Sequence, residues 1–228
     1  MTTVDSHAQP VHQHHLPRDP FEGAHRVVLE QVETFHAPAH FVLPSFDRVD
    51  PEINSGPLEH ARIARDCYDT DGLALARAGV TVQRDCDEDV WIVTMAEVSS
   101  VGESIRREVS YTGSRDAVPA ELRRLLEPQL HGKSITRVAQ LSTQRVVTPL
   151  INRSGVRIAD VIDERTVTTS VAGSSDQFRV IDVQVRDLDG VGHKLIGELD
   201  TLLTGAGCAR EPRITAYARA FGAAATSG

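Results

Sequence analysis

Along most of this chain apolar and polar residues alternate with a period of two, the pattern of strands that bury one face. Residues 26–35 (RVVLEQVETF) are rich in β-branched side chains and read as the first strand. Further strands are predicted at 62–68, 80–85, 90–96, 104–111, 135–150 (with a bend), 157–162, 165–171 and 177–185. Helical spacing is confined to four places. Residues 71–78 form a short helix with Asp71 as its cap and Gly79 as its stop. Residues 119–130 open with Pro119 in the first turn and carry Leu122, Leu125 and Leu126 on one face. Residues 191–204 are amphipathic and end at Gly205, and residues 213–221 close the chain.

The remaining stretches break these periods. Residues 36–60 contain four prolines and the cluster Asn54-Ser55-Gly56-Pro57, which predicts a long loop. Residues 1–22 hold His7, His12, His14 and His15 among polar residues with little to bury, so they read as a flexible polar arm. Antiparallel strands dominate and no βαβ alternation occurs. The expectation is one α+β domain over residues 23–225.

Composition narrows the function. The formal charge of −8 disfavours nonspecific binding to nucleic acid. No apolar run reaches the roughly 18 residues of a membrane span, and the N-terminus has no apolar signal core, so a soluble cytoplasmic protein is expected. Only Lys133 and Lys194 are lysines among the 24 basic residues, so a site that needs several lysines is excluded. Cys67, Cys86 and Cys208 show no metal or disulfide spacing, and the first two are expected to pack as small hydrophobes on strands. His36 and His40 have the i, i+4 spacing of a helical metal pair, but Pro38 lies between them and a loop is the better reading.

The order of segments resembles the CYTH domain, the fold of the triphosphate tunnel enzymes. The passage Tyr68-Asp69-Thr70 followed by residues 73–81 (LALARAGVT) is similar to that family's YDT–LxLxxxGxxLRxR. Trp91, Arg107-Glu108, the 118–122 stretch VPAEL, Thr143 to Arg145, and the 158–165 stretch IADVIDER follow in family order, so the resemblance spans about residues 25–222. It implies an eight-stranded antiparallel β-tunnel with helices packed outside. It also implies an inner wall of acids that hold divalent metal and of lysines and arginines that clamp a triphosphate.

Much of that wall is replaced here. The family's ExExK strand becomes Glu30, Val32 and Thr34, and a lysine position becomes Thr94. A late strand of alternating acids becomes Val180, Asp182 and Gln184, and a C-terminal serine–lysine pair becomes Thr215-Ala216. The polar residues left at matching positions are Glu30, Asp160 and Asp182, expected as carboxylate acid–base groups, with Arg84 and Arg145 as an anion clamp. Thr34, Thr94, Gln184 and Glu108 complete the expected substrate wall. Val32 and Val183 around the acids are expected to give them an apolar setting that favours base function.

The expected function is therefore a repurposed tunnel enzyme that takes a small substrate with one anionic group through elimination, cyclisation or substitution. No metal site and no cofactor is expected. One alternative is the ancestral thiamine or inorganic triphosphatase with Mg2+ or Mn2+. The other is a noncatalytic module that senses a small anion. No nucleic-acid or membrane partner is expected, and the oligomeric state is left open, with a homodimer as the alternative to a monomer.

Overall fold

The computed structural model describes residues 23–24, 26–47, 49–98, 104–185 and 191–210, and the predicted period-two segments become its strands. In chain order these are β1 (Arg26–His36), β2 (Ile53–Ser55), β3 (Glu59–Asp69), β4 (Val80–Asp85), β5 (Val90–Val98), β6 (Ser104–Thr112), β7 (Thr136–Asn152), β8 (Arg157–Ser170), β9 (Ser175–Val185) and β10 (Ala209–Arg210). Three helices intervene: α1 (Ala74–Arg77), α2 (Ala120–Leu130) and α3 (Val191–Gly205). The expected helix at 213–221 and the polar arm at 1–22 lie outside the described residues.

All pairings are antiparallel, and the sheet runs β10-β1-β6-β5-β4-β3-β7-β8-β9 with β2 attached to β7. The far strand, β9, then pairs back onto β1, so the path returns on itself. Among the described residues the sheet has ten strands, which corrects the expected eight; β2 and β10 are the short additions. A second correction is at β8. The two predicted strands 157–162 and 165–171 are one, because Asp163 and Glu164 stay in register opposite Ile181 and Val180 instead of turning.

Parity decides which side chains face out. On β9, Ile181, Val183 and Val185 pack with Leu195, Ile196, Leu199 and Leu203 of α3 and with Phe41, Phe46 and Ile53 of the proline-rich segment. On β4, β5 and β6, Val80, Val82, Trp91, Val93, Val109 and Tyr111 pack with Leu122, Leu126 and Leu130 of α2. These two apolar layers form the outer covering, so the alternate residues of each strand face the interior.

Two charged devices secure the outer layer. Asp163 and Arg179 form a buried two-armed pair, Nε to Oδ1 at 2.8 Å and Nη2 to Oδ2 at 2.6 Å. Arg179 also donates to the Phe41 carbonyl and lies over the Phe41 ring, pinning the proline-rich segment to the sheet. The second device is Asp69. Its carboxylate accepts from the backbone N–H groups of Thr70, Leu75 and Ala76, while Thr70 Oγ1 accepts from Ala74 N–H. Asp69 and Thr70, and not the expected Asp71, satisfy the start of the four-residue α1. Within the YDT motif Tyr68 packs tilted against Trp91 with ring centroids 4.6 Å apart, so all three residues hold structure.

Cys67 lies in a strand interior as expected, whereas Cys86 falls one residue beyond β4 and is half-buried. Cys208 is buried in the outer layer, and burial pushes its thiol up to about 11.

Two outcomes follow from this packing. Asp163→Asn should cost about 3 kcal/mol in urea unfolding, because it leaves the Arg179 charge buried without its counterpart. Replacing both with Leu and Met should recover most of that loss; equal losses would assign the effect to packing. The raised Cys208 pKa gives a contribution fully present below pH 9 and lost as pH rises toward about 11. Stability should therefore fall across that window, and Cys208→Ala should flatten the decline.

Candidate functional site

The interior face carries four arginine–acid groupings, of which the first and third join strands far apart in sequence and the second and fourth join consecutive ones. At the first, Asp182 on β9 is fully buried and both oxygens are engaged. Thr34 of β1 donates to Oδ1 at 2.8 Å, and Arg106 of β6 donates to Oδ2 at 3.1 Å. At the second, Arg145 of β7 donates through Nε to Glu164 Oε1 at 2.7 Å, directly across the β7–β8 ladder. At the third, Arg157, the first residue of β8, bonds Asp160 Oδ1 at 2.5 Å and Glu59 Oε1 at 2.7 Å. The Asp160 hydrogen bond holds the Arg157 guanidinium above its ordinary pKa. At the fourth, Arg65 of β3 donates to Gln83 Oε1 at 3.0 Å and approaches Asp85 at 3.7 Å.

Register places three of these acids on neighbouring rungs. Asp160 stands opposite Gln184, Ile162 opposite Asp182, and Glu164 opposite Val180. On the other side of β9, Val32 stands opposite Gln184 and Thr34 opposite Asp182. The Thr143 and Thr166 hydroxyls bond each other at 2.9 Å one step further along. There Cys67, Ala139, Leu141, Phe178 and Val180 close the interior with an apolar cluster. Burial raises the Cys67 thiol well beyond the ordinary range, so it stays a protonated packing group.

The register sets Thr34, Asp182, Gln184 and Asp160 on adjacent rungs. Arg145 joins them through Glu164. Thr94 and Glu108 face each other across β5 and β6 on the same face, in a different sector of the sheet. Glu30 stands opposite Arg106 in the β1–β6 register, and its side chain lies outside the described residues. Thr215 and Ala216 lie outside them too.

Arg84 is a correction. It shares the parity of Val80 and Val82, whose side chains pack under α2, so it points to the outer face and bonds Asp89 at 2.7 Å. Gln83 takes the interior position next to it. The expected apolar setting of Asp182 is corrected as well, since Val183 points outward and Asp182 accepts hydrogen bonds from Thr34 and Arg106.

Arg106 and Glu164 were not anticipated. Arg106 shares the parity of Glu108, two residues away, and that spacing was the available signal. Glu164 sat in the supposed turn of a divided strand, which removed it from any face.

Among the described residues no three His, Cys, Asp or Glu side chains converge into a metal-binding group. Asp182, Glu164 and Asp160 each have an arginine in contact, and a guanidinium beside a carboxylate opposes a second cation there.

No family model matches the chain, and no curated protein matches it. Among solved structures, a Bacillus halodurans protein described as a "putative adenylate cyclase" is similar at 13% identity, covering 82% of this chain and 94% of that one, with a TM-score of 0.46. So distant a likeness says nothing of what this chain does. Among the described residues no helix is long and apolar enough to cross a membrane.

Calorimetric titration with Mg2+ should show no binding tighter than about millimolar, with or without tripolyphosphate. Micromolar binding abolished by Asp182→Asn would place a metal in the interior after all.

Proposed function

We propose that the interior of the sheet takes a small organic substrate with one anionic group and moves a proton on it, without metal or cofactor. The observation that supports this is the Thr34–Asp182–Arg106 grouping: a fully buried carboxylate held between a hydroxyl and a half-buried guanidinium. Arginine offers a planar fork that fits a carboxylate, sulfate or phosphate as well as it fits Asp182. An entering anionic group competes for Arg106 and draws it from Oδ2. Asp182 then keeps its orientation through Thr34 and offers its carboxylate as the acceptor of a proton from the substrate.

Arg145 serves as a second cation through the same exchange with Glu164. Two arginines balance about two negative charges, well short of a triphosphate. Arg65, Arg106 and Arg145 each face a carboxylate and Arg157 faces two, which favours a ligand of low total charge over a polyanion. Asp160 and Glu30 stand nearby on the strands as further proton acceptors, with Gln184, Thr94 and Glu108 as neutral and acidic wall positions. Elimination, cyclisation and substitution all fit one positioned carboxylate and one cation at the leaving or anchoring group. The protein would work in the cytoplasm with no nucleic-acid or membrane partner.

A second reading has its own observation. Asp182 and Glu164 are each already engaged by an arginine, so the interior could hold a ligand and leave it unchanged, as a sensor does. Mass spectrometry of ligand released from the purified protein separates the two. Asp182→Asn should retain a small molecule that the parent protein converts, and Arg106→Ala should lose it. If parent and Asp182→Asn carry the same unaltered molecule, the sensor reading stands and the enzyme reading falls.

A further inference from the structure

Asp66 on β3 is fully buried beneath the outer face, away from the interior. Two arginines meet it there. Arg115, in the segment after β6, donates to Oδ2 at 3.1 Å, and Arg137, at the start of β7, donates to Oδ1 at 3.3 Å. Their side chains remain 60% and 48% exposed, so each gives one N–H to Asp66 and turns the rest of its fork toward water. Arg84, opposite Asp66 in the β3–β4 register, is balanced by Asp89. Against one carboxylate the two exposed guanidinia leave a net positive charge, on a chain whose total is −8.

The neighbouring aromatics lie under the same patch. The Tyr68 phenol feels Arg84, Arg115 and Arg137 together, although burial and Asp66 still raise its pKa. Tyr68 packs against Trp91, and the Trp91 indole N–H bonds the carbonyl of Ser114, the residue before Arg115. A buried carboxylate needs one counter-charge; a second arginine from another element exceeds that need. The two forks are held on different oxygens of one carboxylate, Arg115 on Oδ2 and Arg137 on Oδ1. An anion that bridges them needs oxygens pointing in different directions, which a tetrahedral group has and a planar carboxylate lacks.

We propose that Arg115 and Arg137, positioned by Asp66 on the outer wall, bind a tetrahedral oxyanion: a phosphate group, free or carried on a small phosphomonoester. This site is separate from the interior one and does not depend on it. Trp91, the single tryptophan, reports on it.

The test is a fluorescence titration of the full chain with inorganic phosphate, against potassium chloride at matched ionic strength. A saturable change with a midpoint of about 1 mM is expected, weakened about tenfold by either Arg115→Gln or Arg137→Gln. Arg115→Lys, which keeps the charge on Asp66, should lose the fork geometry and still bind several-fold more weakly, so the test holds if a Gln variant fails to fold. Arg153→Gln, at an exposed surface pair with Glu52, should respond as the parent does. Glycerol phosphate binding more tightly than inorganic phosphate would identify an ester as the ligand, and the reverse would identify free phosphate. A response absent up to about 50 mM phosphate, unchanged in both Gln variants, or lost in Arg153→Gln, would overturn the proposal.

Discussion

The structure depends on β1 being shared. Its first half pairs with β6 and its second half with β9, and Gln31 stands in both ladders, opposite Ile105 on one side and Val185 on the other. This stagger turns a row of strands into a path that returns on itself. Closure removes the exposed sheet edges that an open sheet of this size would carry along its outermost long strands. It also separates two environments: an outer face that helices and the proline-rich segment can cover, and an inner face whose polar groups must satisfy one another.

The charge arrangement follows from that separation. A carboxylate such as Asp182, with no exposure, cannot rely on water and must take its hydrogen bonds from the wall. Arginine meets this need across the width of a strand or two, because its long stem reaches and its fork binds in a fixed plane. A chain with 24 basic residues, only two of them lysines, is consistent with that use. The outer face repeats the solution at Asp163–Arg179, where the same residue types fasten a loop. Identical chemistry therefore serves structure on one face and a candidate site on the other. The difference is what lies beyond the pair: the Phe41 carbonyl and ring outside, other polar strand residues inside.

Most of the strands were legible because their alternation is strict. In β9 the sequence Val180-Ile181-Asp182-Val183-Gln184-Val185 places the larger apolar residues on one parity and the polar ones on the other, and the interior positions follow directly. Arg84 was misplaced even though the same rule applied to it, since Val80 and Val82 share its parity; the motif resemblance outweighed the alternation. The break assigned at Asp163-Glu164 had a physical cause. Two adjacent acids look like a turn, yet each is paired with an arginine on its own face, and neither pair is visible without the fold. β2 and β10, three and two residues long, carry too few positions for any period to show.

The segment Tyr68-Asp69-Thr70 is a structural corner. Its aspartate accepts three backbone N–H groups at the start of a helix too short to supply its own order, and its tyrosine seals one side of the only tryptophan. Losing either would loosen the corner where β3 passes through α1 into β4. The interior face meets a different demand: each buried carboxylate takes its hydrogen bonds from a neighbouring strand, Asp182 from Thr34 and Arg106, and Glu164 from Arg145. The corner is thus fixed by backbone N–H groups that need an acceptor, and the wall by carboxylates that need donors.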